Sequence, residues 1–301
     1  MDKLWGIDLG GTKTEGVIIE SVENPEIIFR KRIPTESEKG YEHILDRIFE
    51  LVKMISTNTG IKPKKIGFGT PGVLDPCTQT MKNCNTTCLN GRPLKNDLEK
   101  ILGIPCVITN DANCFALAEA VIGAVKEKVP GARIIFGVIM GTGVGGGIVV
   151  DGKALYGCQG IAGEWGHNFL DSSGGPCYCG KTGCVETIIS GPALQNYYKS
   201  LTNNNISLDE IVNRHKSQKD KNASLTIERL LEYFGKAMAN VINILDPDVI
   251  VLGGGLGNID LLYNEGIECI KKHVFNNRLE TVFLKPKLGD SAGVFGAALL
   301  V

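Results

Sequence analysis

The sequence predicts an α/β protein with a ligand site at its strand ends, and three observations carry that prediction. Short continuous apolar runs at 4–9, 134–140 and 249–252 each end in a glycine cluster. Segments with helical spacing of apolar residues fill the intervals. Glycine is the compositional outlier, with 38 residues, and it gathers where the strands end.

Residues 4–9 read as a buried strand, broken by Gly10-Gly11-Thr12-Lys13, and 14–20 read as a second strand. Residues 41–57 form a helix, with Ile44, Leu45, Ile48, Leu51, Val52 and Ile55 on one stripe. The apolar run Val107-Ile108-Thr109 leads through Asn110-Asp111 into a helix over 113–124. Residues 134–140 repeat the first pattern, with Gly141-Thr142-Gly143 and Gly145-Gly146-Gly147 read as a turn before a strand at 148–150. The polar stretch 200–224 is a connector with one embedded helix. A helix over 226–245 stops at Asp246-Pro247, and the strand at 249–252 runs into Gly253-Gly254-Gly255. Residues 291–300 read as a terminal helix capped near Asp290. Two strand-glycine-strand units half a chain apart suggest an internal duplication.

Glycine turns let a backbone approach an anion closely, so that successive amides cradle phosphate oxygens. Thr12, Lys13 and Thr142 can add donors. Plain tight hairpins are the alternative, since neither the P-loop nor the dinucleotide spacing is present. Gly166-His167, followed by Cys177, Cys179 and Cys184, offers one imidazole and three thiols spaced to close a tetrahedral site, most suited to zinc. Glu164 and Glu186 flank it, so a metal there would hold two carboxylates beside a rigid turn.

Asp111 has two readings on spacing alone: a general base toward a substrate hydroxyl that Asn110 orients, or the favoured helix N-cap. Asp8 divides likewise between phosphate or magnesium work and a turn acceptor. Cys106, Cys114 and Cys269 lie in apolar segments and read as core, while Cys77, Cys84 and Cys88 have no metal-like spacing. His43 and His273 read as surface or satisfied residues.

With 32 basic and 33 acidic residues among 301, no net field draws nucleic acid or an anionic membrane. No apolar run approaches the ~18 residues of a membrane span, and no export leader is expected, so a reduced, cytoplasmic setting is.

Taken in order, Ile7-Asp8-Leu9-Gly10-Gly11-Thr12-Lys13, Gly69-Thr70-Pro71-Gly72, Asn110-Asp111-Ala112-Asn113, the glycine run at 141–147, Gly163-Glu164-Trp165-Gly166-His167, the cysteine motif through Glu186, and the stretch 246–255 resemble the ROK family of bacterial sugar kinases and repressors. The resemblance runs nearly end to end. It implies a two-lobed, actin-like (ribonuclease-H-like) fold with duplicated domains, residues 1–112 with 288–301 forming a small lobe and 113–287 a large one with the zinc site. Asp8, Gly10, Gly11, Thr12 and Lys13, and Gly141, Thr142 and Gly143, would be two phosphate loops, with Gly253, Gly254 and Gly255 against adenosine. Asp111 would be the base. Asn110, Glu164, His167 and Glu186 would bind sugar hydroxyls, with Gly72, Asn83 and Asn85 completing the pocket. His167 would serve twice, one nitrogen on a structural zinc and one toward the sugar. ATP, Mg²⁺, a hexose and a homodimer are implied.

The pocket motifs look most like the fructokinase or mannokinase branch, although Cys88 stands where that branch tends to carry tryptophan. An N-acetylglucosamine or N-acetylmannosamine kinase, or a glucokinase, is the alternative. A sugar-responsive regulator fits less well, since no DNA-binding module or basic footprint is evident.

Overall fold

The computed structural model describes residues 2–301. In chain order its elements are β1 (Leu4–Leu9), β2 (Lys13–Ile19), β3 (Ile27–Pro34), α1 (Tyr41–Thr59), β4 (Ile66–Thr70), β5 (Val73–Leu74), β6 (Met81–Lys82), α2 (Leu94–Leu102), β7 (Cys106–Asn110), α3 (Asp111–Val121) and α4 (Ala124–Lys128). They continue with β8 (Ile134–Met140), β9 (Val144–Val150), β10 (Lys153–Ala154), α5 (Glu186–Ile189), α6 (Gly191–Thr202), α7 (Leu208–Lys216), α8 (Lys221–Leu245), β11 (Val249–Gly253), α9 (Glu265–Lys271), β12 (Val282–Leu284) and α10 (Ala292–Ala298).

Two five-stranded sheets share one plan, β3-β2-β1-β4-β7 and β10-β9-β8-β11-β12. In the first, β1 and β2 are antiparallel, whereas β4 runs parallel to both β1 and β7. In the second, β9 and β10 are antiparallel, and β11 runs parallel to both β8 and β12. The repeated order bears out the internal duplication. The chain divides into two compact units, Met1–Gly131 with Gly147–Ala162 and Lys287–Val301, and Ala132–Gly146 with Gly163–Pro286.

Within the first unit, α1 buries Ile44, Leu45, Ile48, Leu51, Val52 and Ile55, the whole expected stripe, and stops at Gly60 in the left-handed region. Trp5, Ile7, Leu9 and Phe68 from the sheet complete that core. On the other face α10 lies close against the strands. A Cβ at Gly67 would stand 1.9 Å from the Ala297 carbonyl oxygen, so only glycine permits the approach. By compactness α3 and α4 join this unit rather than the large lobe drawn from the sequence. The reason is packing: α10 meets α3 so closely that a Cβ at Gly296 would be 1.8 Å from the Cys114 oxygen.

In the second unit, α8 starts at Asp220, whose carboxylate accepts the amides of Asn222 and Ala223, and ends at Asp246 in a left-handed conformation before Pro247. The expected terminal helix is shorter than read, and Ser291 makes no side-chain cap. Gly145, Gly146 and Gly147 do not form a turn; they lie inside β9. Gly146 is small because a Cβ would meet Phe136 and Trp165 at 2.7 Å, and Gly147 because one would meet the Ala112 oxygen at 2.5 Å. No helix among the described residues is long and apolar enough to cross a membrane.

Candidate active site

In the first unit, the β1–β2 turn closes with the Gly10 amide donating to the Lys13 carbonyl at 3.0 Å. The segment after β3 holds its outer side. Thr35 Oγ1 donates to the Gly10 oxygen and Ser37 Oγ to the Gly11 oxygen, each at 2.7 Å. With these carbonyls tied back, the turn lines a cleft of about 630 Å³ together with Asp8, Asn85, Thr86, Cys88 and Asp111. A Cβ at Gly11 would stand 3.0 Å from Thr86 Oγ1, so the turn is drawn in tightly.

The choice between cap and base divides between neighbours. Asn110, buried at the end of β7, caps α3 through an Oδ1 that accepts the Asn113 amide at 2.9 Å. Asp111 is the first helical residue; its side chain opens to the cleft, with Oδ1 2.8 Å from the Ala112 amide. Protein surrounding that opening dehydrates the carboxyl and raises its pKa. Half-buried Asp8 is pushed up to about 7, first by burial, then by the charge of Asp111 and of Glu15.

Asn85 lines this cleft, but Asn83, Gly72 and Lys13 do not. Asn83 is exposed and takes a left-handed φ of 56° in a turn. Gly72 makes room for Cys84, since a Cβ would be 2.4 Å from its sulfur. Lys13 begins β2 with its side chain exposed. Thr35 and Ser37 escaped the sequence reading because hydroxyls following an edge strand carry no motif.

In the second unit, the Gly141 amide donates to the Gly143 carbonyl at 2.9 Å, and the Gly141 oxygen accepts the Gly191 amide at 2.9 Å. Glu186 Oε2 accepts the Val144 amide at 2.9 Å, and a Cβ at Gly143 would be 2.6 Å from that oxygen. Gly254, at φ 76°, lies under Met140, where a Cβ would be 2.3 Å from the carbonyl oxygen. Gly166 is held likewise: its Cβ would sit 1.9 Å from the Val144 oxygen.

These contacts set His167 beside the three thiols. One ligand atom from each of His167, Cys177, Cys179 and Cys184 lies within 4.8 Å of all the others. Cys179 and Cys184 place their sulfurs 3.7 Å apart, and Cys177 Sγ lies 3.5 Å from His167 Nδ1. A disulfide needs about 2.05 Å. A tetrahedral ion with bonds of about 2.3 Å to sulfur and 2.0 Å to nitrogen needs edges of about 3.8 and 3.5 Å. The donors therefore fit a zinc-sized ion with four protein ligands. All ten cysteines are free thiols. Cys106 and Cys114 are buried as expected, and Cys269 is half-buried.

The family resemblance implies a second His167 nitrogen turned toward a sugar. In the structure that nitrogen, Nε2, lies 2.9 Å from the hydroxyl of Tyr178. Tyr178, Thr142, Cys177 and Glu186 line a second cleft of about 620 Å³. Glu164 is half-buried just before His167. Among the other histidines, His43 pairs with Glu36 at 2.8 Å, and His273 Nε2 lies 3.9 Å from Glu232.

A family model described as the ROK family matches residues 4–301. The chain is 35% identical over 307 residues to an N-acetyl-D-glucosamine kinase of Aliivibrio fischeri, with 98% of each chain covered. It is similar to the crystal structure of a ROK hexokinase from Thermus thermophilus, with a TM-score of 0.86 at 29% identity over 99% of this chain and 97% of that one. A ROK family glucokinase from Streptomyces griseus, solved with glucose and AMPPNP, matches with a TM-score of 0.77 at 27% identity, covering 99% of both chains.

Proposed function

The chain belongs to the ROK family, and on that premise we propose that it transfers the γ-phosphoryl group of ATP to the 6-hydroxyl of N-acetyl-D-glucosamine. The carrying observation is the end-to-end similarity to the Aliivibrio fischeri N-acetyl-D-glucosamine kinase. The fructose or mannose reading draws no support from the relatives described above and gives way to its alternative. Nucleotide dependence is supported by the glucokinase solved with AMPPNP and by the paired glycine turns.

Asp111 takes the proton of the attacking hydroxyl as it meets the γ-phosphorus in line. Two features support that role. Its carboxylate opens to a cleft, and Asn110 already caps the helix. A raised pKa makes it a stronger base when ionised. In the first unit Asp8 and the Gly10–Thr12 turn serve phosphate; in the second Gly141, Thr142 and Gly143 serve phosphate and Gly253, Gly254 and Gly255 take adenosine. Mg²⁺ bound with the nucleotide would neutralise phosphate charge beside Asp8. Asn85 and Asn110 of the first unit and Glu164 and Glu186 of the second are the residues assigned to the sugar, with His167 behind the Tyr178 hydroxyl that faces its Nε2. The His167 and cysteine cluster would hold zinc in a structural role, because four protein ligands leave no position for a reactive water.

Coupled ADP release measured with N-acetylglucosamine, N-acetylmannosamine, glucose, fructose and mannose tests this reading. It requires the highest kcat/KM with N-acetylglucosamine; preference for fructose, or no turnover with any of the five, overturns it.

A further inference from the structure

Tyr178, between the first two cysteines of the cluster, is 71% exposed yet held in place. Its ring meets the imidazole of His167 edge-on, with centroids 5.0 Å apart and planes at 88°. Its hydroxyl lies 2.9 Å from His167 Nε2, and among the described residues it has no other hydrogen-bond partner.

The direction of that bond follows from the other face of the ring. Nδ1 is the nitrogen beside Cys177, in the four-donor cluster. A ring nitrogen bound to an ion offers its lone pair, so with zinc in the cluster the imidazole proton would sit on Nε2. His167 therefore donates and the Tyr178 oxygen accepts. The phenol then keeps its own proton to donate, and Tyr178 lines a cleft with Thr142 and Glu186. The contact expected of His167 is thus passed outward by one residue.

We infer that Tyr178 is a sugar-binding residue, its hydroxyl donating to a sugar oxygen while its own oxygen anchors His167. A sugar hydroxyl suits the position because it can accept from the phenol and donate to the Glu186 carboxylate that lines the same cleft. The inference rests on the kinase reading only for the identity of the sugar.

The test uses the zinc-loaded full chain and its Tyr178→Phe variant, which keeps the ring and removes the hydroxyl. Zinc content is measured by elemental analysis, N-acetylglucosamine affinity by calorimetry without nucleotide, and KM and kcat by ADP release. Zinc is expected unchanged, with Kd and KM for the sugar up about 3- to 15-fold, the worth of one hydrogen bond. The KM for ATP and kcat should stay within about twofold on the same argument. A series of mono-deoxy analogues locates the contact: one of them should lose affinity for the wild type and lose none further on Tyr178→Phe. Unchanged sugar affinity, loss of zinc, or the absence of any such analogue overturns the inference. Calorimetry also separates the two readings. A wild type that binds the sugar without turning it over contradicts the kinase function and leaves the Tyr178 contact to stand or fall on the variant.

Discussion

Asp8 and Asp111 line the same cleft, and the charge of Asp111, added to burial, holds Asp8 up to about 7. An acid whose folded pKa lies above its unfolded value binds its proton more tightly when folded. Stability is therefore greatest below the unfolded pKa near 3.8 and falls as pH rises toward about 7. A shift of this size is worth at most about 4 kcal/mol. Asp8→Asn should thus raise the melting temperature by several degrees at pH 8, without nucleotide or Mg²⁺, and leave it almost unchanged near pH 4. The same variant should lose phosphoryl transfer. Equal melting shifts at both pH values would contradict the pairing.

Asp111→Asn should keep the fold, because Asn110 holds the α3 cap and an asparagine oxygen can still face the Ala112 amide. Sugar affinity should be close to wild type, with turnover lower by ~10² or more, the scale of a general base. Near-normal turnover would remove Asp111 from its role.

Replacing one thiol breaks the four-donor set. Cys179→Ser should release the metal, taking zinc from about one per chain to none, since a neutral hydroxyl is a poor ligand beside thiolates. Sugar affinity should weaken because the loop carrying His167 relaxes, while nucleotide affinity holds. Elemental analysis with calorimetry reads both, and full zinc retention would contradict the ligand assignment.

Gly166→Ala puts a methyl group 1.9 Å from the Val144 carbonyl oxygen, a backbone atom that cannot swing aside. A loss of about 1–3 kcal/mol or more is expected, measured by denaturant unfolding. A control at Gly152→Ala meets open space, and its cost comes from its left-handed φ of 74° alone. Equal losses at the two positions would deny the close approach.

Continuous apolar runs ending in glycine made β1 and β8 legible to the residue, and the α1 stripe gave its buried face. The edge strand β3 was not legible. It is largely exposed and reads as charged, its Arg30 and Arg32 pairing with the buried Glu15 across the sheet. Glycine was ambiguous in a physical sense, since a residue without a side chain serves a turn at Gly141 and close packing at Gly146 and Gly147. The metal donors were readable from spacing, because one short loop carries three of the four. The partner of His167 Nε2 was not, since it depends on which way an exposed tyrosine ring turns.

Transfer to the 6-hydroxyl fixes which carbon of the product carries phosphate, and ³¹P-coupled NMR reads that carbon. After incubation with ATP, Mg²⁺ and N-acetyl-D-glucosamine, a phosphomonoester coupled to the two protons of the sugar's C6 is expected. Unconsumed ATP, release of free phosphate, or coupling to any other carbon would contradict it.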